Sequence, residues 1–494
     1  MQAVSFPKDF SHLRVHFVGI KGTGMAALVE LLHARGALIT GSDVAERFYT
    51  DAILEKLGLC AKPFSEKNIS RDIALVIYSS AYNVATNPDL IAATKLNLPC
   101  MLYTEALGAL SRESYSVGIC GVHGKTSTAG LAGSILSQLD VPAQVLAGSV
   151  ISSFADSCTL TTAQFGKKNA RNYFVAETCE YQNHFLSFFP QKILLTSVES
   201  DHQDFFPTYE AIQNAFIEYI CKLPQNGTLM YCADDKGAAE TALFAKEKRK
   251  DIVLIPYGEA VSGDYRVTFG NIADGAQHFT VGALGEFSLY VPGKHEVLDA
   301  VAALALSCEL LKIDRKDVRV YTEKLKAGIA LFRGGKRRSE VLGRKTVSGN
   351  DVIFIDDYAH HPTAIKTTLA GYREFYQGRK IIVDFMSHTY TRTAALLEEF
   401  AASFENADEV ILHKIYASAR ENAAAASVTG KTLFDEVKKR HGNVQYFEEW
   451  KDAKDFVLAE LGSSNDFPNG ILFVTMGAGD NWQLGKAVYE EVTA

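Results

Sequence analysis

The sequence predicts an α/β protein of about three domains with largely parallel sheets. Three observations carry this expectation. Apolar runs of strand length alternate with segments whose apolar residues recur at helical spacing, along most of the chain. Glycine-rich turns stand directly behind several of these runs, where a strand would pass into a helix. The length, 494 residues, fills about three cores at roughly 150 residues each.

In chain order, the first unit reads LRVHFVGI as a strand, GTGMAALVELLHARG as a helix and ALITGSD as a strand, followed later by LVIYSSA and PCMLYT. The polar stretch SRES, around 110–116, closes it. YSVGIC opens the second unit, with further strands at 173–176, 193–197 and 227–232 and a less regular β-like stretch around 264–291. After the helix-like 297–311, LFRGGKRRSEVLG reads as an exposed linker. The third unit follows as VIFID, a helix from Pro362, KIIVDF, a helix from Thr391, EVILH and ILFVTM. The alanine run at 422–427 reads as loop or helix.

Composition narrows function without naming it. Apolar residues make up 47% and charged residues 22%, the balance of an ordinary globular protein, and the net charge is −8. A mildly acidic chain with no long basic run is not a general nucleic-acid or anionic-membrane binder. No two of the eight cysteines form a C-x-x-C pair, which fits reduced thiols in the cytoplasm. The first residues hold no apolar signal core, and no stretch approaches a membrane span of about 20 residues.

The most informative motif is GVHGKTS, Gly121 to Ser127, behind the strand YSVGIC, with Leu131, Ile135, Leu136 and Leu139 on one face of the helix that follows. Glycines let backbone N–H groups converge on phosphate oxygens, a lysine such as Lys125 neutralises them, and a hydroxyl such as that of Thr126 can ligate Mg²⁺. The full G-x-x-x-x-G-K-[ST] pattern is not met, because Ile119 stands at its first glycine. Downstream, Glu177 in FVAETCEY and His202 beside Asp201 in SVESDHQDFF lie at strand ends, where such sheets place ligands. Either can be a satisfied polar strand end or a group around a metal ion.

The N-terminal turn GIKGTGM, Gly19 to Met25, and Asp43 at the end of the next strand resemble a dinucleotide fingerprint, but the spacing is G-x-x-G-x-G. Alone it indicates a diphosphate-bearing ligand and leaves a nicotinamide oxidoreductase open. The third unit adds DDYAHHPT, with His360 and His361 beside two acids, and HTYTRT, with His388 and Arg392. Arg392 suits a carboxylate or phosphate. MGAGD, Met476 to Asp480, offers a last close-approach turn.

Taken in order, GIKGTGM, GSD, YSSA, GVHGKTS, AETCEY, ESDH, PGKH, GGKRR, DDYAHHPT, HTYTRT and MGAGD resemble the Mur ligases of peptidoglycan synthesis. The resemblance implies a Rossmann-like N-terminal domain (1–110) for a UDP-sugar, a central P-loop ATPase domain with a mixed sheet (111–328) and a Rossmann-like C-terminal domain (329–494) for an amino acid. It implies that ATP phosphorylates the lactyl carboxylate of UDP-N-acetylmuramate and that the amine of L-alanine attacks the acyl phosphate. Lys125, His202, His360 and Arg392 would be catalytic, and Thr126, Glu177 and His202 would surround Mg²⁺. ATP would contact Gly121, Val122, His123, Gly124, Lys125, Thr126 and Ser127, together with His295, Glu296, Arg338 and Asp357. The UDP-sugar would meet Gly22, Thr23, Gly24, Ser42, Asp43 and Ser80, and the amino acid Tyr358, His360 and Arg392. The resemblance also implies a monomer or homodimer.

Three departures matter. The family's P-G-x-H-N-x-x-N reads PGKHEVLD here, with Glu296 and Asp299, and a carboxylate only accepts hydrogen bonds where an amide also donates. Thr389 and Ser339 stand where some members carry Arg and where the family usually has Phe. A sister ligase that attaches an intact tripeptide to the same UDP-sugar shares DDYAHHPTAI, whereas HTYTRT and MGAGD favour alanine.

Overall fold

A computed structural model describes residues 6–167, 170–417, 427–463 and 466–492. The chain forms three α/β units, each on its own sheet. The first sheet has the order Leu38–Ser42, Arg14–Val18, Ile73–Tyr78, Cys100–Leu102, and every pairing in it is parallel. Val15, Phe17, Leu75 and Ile77 are fully buried, as strands covered on both faces require. Helix Thr23–Ala34 covers this sheet through Leu28, Leu31 and Leu32.

The second sheet orders Val253–Tyr257, Thr228–Cys232, Lys192–Leu195, Tyr115–Cys120, Tyr173–Glu177, Ala143–Ile151 and Ser157–Thr161. Only the last pair is antiparallel, so the sheet is mixed as expected. The irregular stretch near 264–291 is a separate antiparallel sheet of Val267–Ala273, Ala276–Val281 and Gly285–Leu289. Helix Lys125–Gln138 was expected to bury one face, yet every residue from Thr126 to Leu136 is buried. It lies between its sheet and helices Lys294–Ile313 and Thr322–Leu331, and its run of Ala, Gly, Ser and Thr leaves room for that enclosure.

The third sheet orders Glu340–Val347, Asn350–Asp357, Ile471–Gly477, Lys380–Met386, Glu409–Leu412 and Val444–Tyr446, antiparallel only at its first pair. The expected linker joins the second and third units, but only part of it is exposed, including Leu331, Arg333 and Lys336. Phe332 is fully buried, Ser339 is buried, and residues from Glu340 onward form the edge strand. Its arginines and glycines gave it a polar look, but Phe332 fills the core under helix Lys125–Gln138. The boundaries placed at 110/111 and 328/329 fall inside helices Tyr103–Arg112 and Thr322–Leu331. The chain passes between sheets just after each helix. All eight cysteines are free thiols. Among the described residues, no helix is long and apolar enough to cross a membrane. Of the alanine run, residues 422–426 lie outside the described residues.

Candidate active site

The phosphate-loop motif forms the turn its sequence predicts, between strand Tyr115–Cys120 and helix Lys125–Gln138. Gly124 caps the helix at φ 80°, a left-handed conformation, and a Cβ there would lie 2.4 Å from Asp299 Oδ1. The helix therefore starts with free N–H groups facing a cleft of about 280 Å³ between the second and third units.

Lys125 curls back into the loop. Its Nζ donates to the carbonyl oxygens of Gly121 and Val122 and to Glu180 at 3.0 Å. Burial alone would lower the lysine's pKa, but the charge of Glu180 outweighs it and holds Lys125 above its ordinary value. Burial also disfavours ionised Glu180, yet Lys125 keeps that carboxyl below its usual range. The Thr126 hydroxyl donates to Glu177 Oε2 at 2.9 Å, and the Gly148 N–H donates to the same oxygen at 2.6 Å. His202, at φ 54°, sets its Nε2 3.4 Å from Glu180 Oε1. Of the three expected metal ligands, Thr126 and Glu177 touch, while His202 reaches Glu180.

Deeper in the cleft stand two carboxylates in the first turns of helix Lys294–Ile313. Glu296 Oε1 accepts from Ser127 at 2.8 Å, and Asp299 Oδ1 accepts from Thr128 at 3.1 Å. Burial and mutual repulsion push Asp299 well above the carboxylate range, and burial raises Glu296 as well. Glu296 Oε2 and His295 Nδ1 are buried with no hydrogen-bond partner. Burial lowers His295 to about 4, so its ring is neutral at pH 7. Tyr257, Leu298, Thr367 and Thr368 complete the walls.

The third unit closes the cleft with Arg338, Asp357 and His360. His360 Nδ1 faces the Tyr358 carbonyl oxygen at 2.8 Å, which assigns that nitrogen the proton and leaves the lone pair on Nε2. Burial, then the nearby Arg392 charge, hold His360 well below the ordinary imidazole value. Arg392 was expected to clamp a ligand. Its Nε and one terminal nitrogen instead donate to Asp201 Oδ1 at 3.0 and 2.9 Å, and its other terminal nitrogen donates to the His388 carbonyl oxygen at 2.7 Å. Burial alone would raise Asp201, but Arg392 keeps it far below the carboxylate range. This buried pair joins the second and third units. Asp357 accepts from the Ser339 and Ala359 N–H groups at 2.7 and 2.8 Å and lies 3.2 Å from the Tyr372 hydroxyl. Arg337 and Arg338 both lie over the Tyr358 ring.

At the N-terminal turn, both Asp43 oxygens are committed within the protein. Oδ2 accepts from the Lys21 N–H at 2.7 Å, and Oδ1 accepts from the Val44 N–H and the Tyr82 hydroxyl at 2.8 and 2.9 Å. The ribose-binding role read from the fingerprint therefore meets a carboxylate already bonded. Ser42 Oγ is buried without a partner, Gly22 caps helix Thr23–Ala34, and the Thr23 hydroxyl meets the Tyr49 hydroxyl at 2.6 Å. Ser80 is exposed just past its strand. A smaller pocket of about 190 Å³ runs from Gly24 and Tyr103 to Glu177 and His184, linking this turn to the phosphate-loop acids.

Glu180 and the partnership of Asp201 with Arg392 escaped the sequence reading. The signal for Glu180 was present: it stands three residues past Glu177 in AETCEY. The Asp201–Arg392 contact spans 191 positions and has no local signature.

Three family descriptions match the chain in order: "Mur ligase family, catalytic domain" over 14–115, "Mur ligase middle domain" over 119–307 and "Mur ligase, glutamate ligase domain" over 337–479. A UDP-N-acetylmuramate–L-alanine ligase of Treponema pallidum is 48% identical over 99% of this chain and 98% of its own. One from Borreliella burgdorferi is 38% identical over 96% and 98%. Among solved structures, the UDP-N-acetylmuramate–alanine ligase MurC of Thermotoga maritima aligns with a TM-score of 0.74 at 23% identity, covering 98% of this chain and 99% of that one. A murein peptide ligase of Psychrobacter arcticus aligns at 0.64 and 20% identity, covering 97% and 98%.

Proposed function

Because the chain belongs to the Mur ligase family, we propose that it joins L-alanine to the lactyl carboxylate of UDP-N-acetylmuramate, with ATP converted to ADP and phosphate. One observation carries the reading. Lys125 and the Thr126–Glu177 pair meet a neutral imidazole, His360, brought to the same cleft by another domain. The L-alanine choice rests on relatives of that name, up to 48% identical along the full chain.

A carboxylate resists attack by an amine until one of its oxygens becomes a phosphate leaving group. The γ-phosphoryl group of ATP passes to that oxygen, forming an acyl phosphate and ADP. The L-alanine amine then attacks the carbonyl carbon, and the tetrahedral intermediate collapses with loss of phosphate and a proton. Lys125 and the loop N–H groups hold the charge that develops on the transferring group, and positioning supplies most of the remaining acceleration. His360 Nε2, with its lone pair free, accepts the proton that the amine releases. Arg392 acts as a positioning residue, bolting the C-terminal domain to Asp201 and keeping His360 neutral.

The Thr126 hydroxyl and the Glu177 carboxylate are hard oxygen donors in contact, a set that fits Mg²⁺, with His202 on the Glu180 side. Mg²⁺ bound there would neutralise the β- and γ-phosphates. The UDP-sugar is assigned to the unit that ends with helix Tyr103–Arg112, ATP to the unit that ends with helix Thr322–Leu331, and the amino acid to the unit beyond it. Eight free thiols support a cytoplasmic setting.

Phosphate release is measured with ATP, Mg²⁺ and UDP-N-acetylmuramate, adding L-alanine in one arm and the intact tripeptide in another. Release with L-alanine is expected. Release with tripeptide alone would transfer the protein to the recycling branch, and NAD binding without ATP turnover would remove it from the ligases.

A further inference from the structure

One cluster of ligating side chains has been given no role of its own, although His123 lines the same cleft. His123 belongs to the phosphate loop, Glu199 lies beyond strand Lys192–Leu195, and His361 is the N-cap of helix Pro362–Phe375 in the third unit. One ligand atom from each lies within 4.8 Å of the other two.

Both imidazoles address the same carboxylate oxygen. Glu199 Oε1 faces His123 Nε2 and, at 3.3 Å, His361 Nδ1, while Oε2 accepts from the Thr363 hydroxyl at 2.9 Å. His361 Nδ1 also receives the Thr363 backbone N–H at 3.3 Å, as the cap of its helix. An unprotonated imidazole nitrogen has one lone pair, so this long capping contact gives way when that pair goes to a cation shared with Glu199 Oε1. His361 is 5% exposed and its Nε2 has no hydrogen-bond partner, so the Nδ1 side alone orients the ring.

We propose that His123, Glu199 and His361 form a site for one divalent transition cation of the zinc class, bridging the phosphate loop and the C-terminal domain. Two imidazoles and one carboxylate are a familiar set for zinc, with ligand distances of about 2.0–2.2 Å. Mg²⁺ takes oxygen ligands and keeps its waters, so the same three groups discriminate against it. The site shares no side chain with the Thr126–Glu177 pair, and the inference does not depend on which amino acid the enzyme adds. Because its ligands come from two domains, a bound cation stabilises their closed arrangement.

The test titrates the full chain with Co²⁺ as a spectroscopic probe, with millimolar Mg²⁺ present to fill the oxygen site. One Co²⁺ per chain is expected, with the visible absorption of a four- or five-coordinate nitrogen–oxygen site, displaced by Zn²⁺ and accompanied by a rise in Tm. Glu199→Gln keeps the side chain's volume and its bond to Thr363, and His361→Asn keeps a helix-capping side chain. Each should weaken Co²⁺ binding at least about ten-fold, a loss that even an outer-shell partner causes. Glu177→Gln should leave Co²⁺ affinity unchanged. Absence of Co²⁺ binding, equal binding by Glu199→Gln and His361→Asn, or a loss confined to Glu177→Gln would each overturn the site. Since the readout is metal binding, these results are independent of whether L-alanine is the true substrate.

Discussion

Residues 19–25 and 121–127 follow one plan, a buried parallel strand, a glycine turn with a lysine in it and a helix, yet they use their lysines in opposite ways. Lys21 is 8% exposed, and its Nζ donates to the Glu46 carbonyl oxygen at 2.7 Å and pairs with Asp51 at 3.2 Å. Its backbone N–H is taken by Asp43 Oδ2, and Asp43 Oδ1 accepts two further bonds within the protein. Lys125 also has partners, but the lysine itself lines the cleft that would receive the phosphate, and Glu180 holds its ammonium charge there. The first turn uses its charges, and the N–H groups from Gly19 to Gly22, within its own loop and sheet, and leaves the start of helix Thr23–Ala34 to face a ligand. The second holds a cation in place for transfer. The same local pattern therefore gives a binding device in one domain and a reacting device in the next.

Removing each lysine is the strongest way to break this comparison. Lys125→Ala should lower the rate of ADP formation by about 10³-fold, the scale set by losing one charge-stabilising group. Lys21→Ala should leave that rate within about three-fold and lower unfolding stability by about 2 kcal/mol, because it strands Asp51. Steady-state assays and urea unfolding separate the two, and equal kinetic losses would end the distinction.

His360 faces the second turn and has no counterpart at the first. His360→Ala should cost about 10²–10³ in kcat with saturating L-alanine, within the usual range for a general base. The pH profile adds a sign. The groups around His360 are the Arg392 and Arg338 cations, the Asp201 carboxylate and the Tyr358 carbonyl oxygen. Burial and the cations prevail over Asp201 and hold the imidazole below 6.5, so it stays neutral to lower pH than a free histidine. The acid limb of kcat/KM should lie below pH 6.5, with activity falling as pH drops through it. A limb above pH 7 would exclude His360 as the base.

Smaller changes sharpen the first turn. A Cβ on Gly24 would sit 2.8 Å from Tyr103 Cζ. Gly24→Ala should therefore shift the Tyr103 ring into the pocket that runs to Glu177 and raise KM for the UDP-sugar about ten-fold, with kcat nearly unchanged. Tyr82→Phe removes one donor from Asp43 and should cost about 1 kcal/mol in thermal or urea unfolding, with little kinetic effect. A KM change larger than that of Gly24→Ala would show that Asp43 reaches the ligand through Tyr82.

The alternation of strands and helices, the three α/β units and both glycine turns were readable in order, because each rests on local periodicity and turn chemistry. The meeting of Thr126 with Glu177 was legible only through the family resemblance; the adjacency of strands Tyr115–Cys120 and Tyr173–Glu177 brings it about. Long-range choices were not readable. LFRGGKRRSEVLG looked exposed because its arginines hid the role of Phe332, which packs under a helix some 200 positions earlier. Arg392 looked like a ligand clamp because nothing near it in sequence answers its charge, and Asp201 answers it from another domain. Glu296 and Asp299 were visible as departures from a family pattern. Their bonds to Ser127 and Thr128, and the free oxygen on Glu296, needed the packing of two helices.

The account stands or falls on phosphoryl transfer to a carboxylate at the Lys125 loop. UDP-N-acetylmuramate labelled with ¹⁸O in its lactyl carboxylate, turned over with ATP and L-alanine, tests it directly by mass analysis of the released phosphate. One ¹⁸O per phosphate is predicted, because the oxygen that accepts the phosphoryl group leaves with it. Unlabelled phosphate, with both ¹⁸O atoms retained in the sugar product, would contradict the acyl-phosphate route.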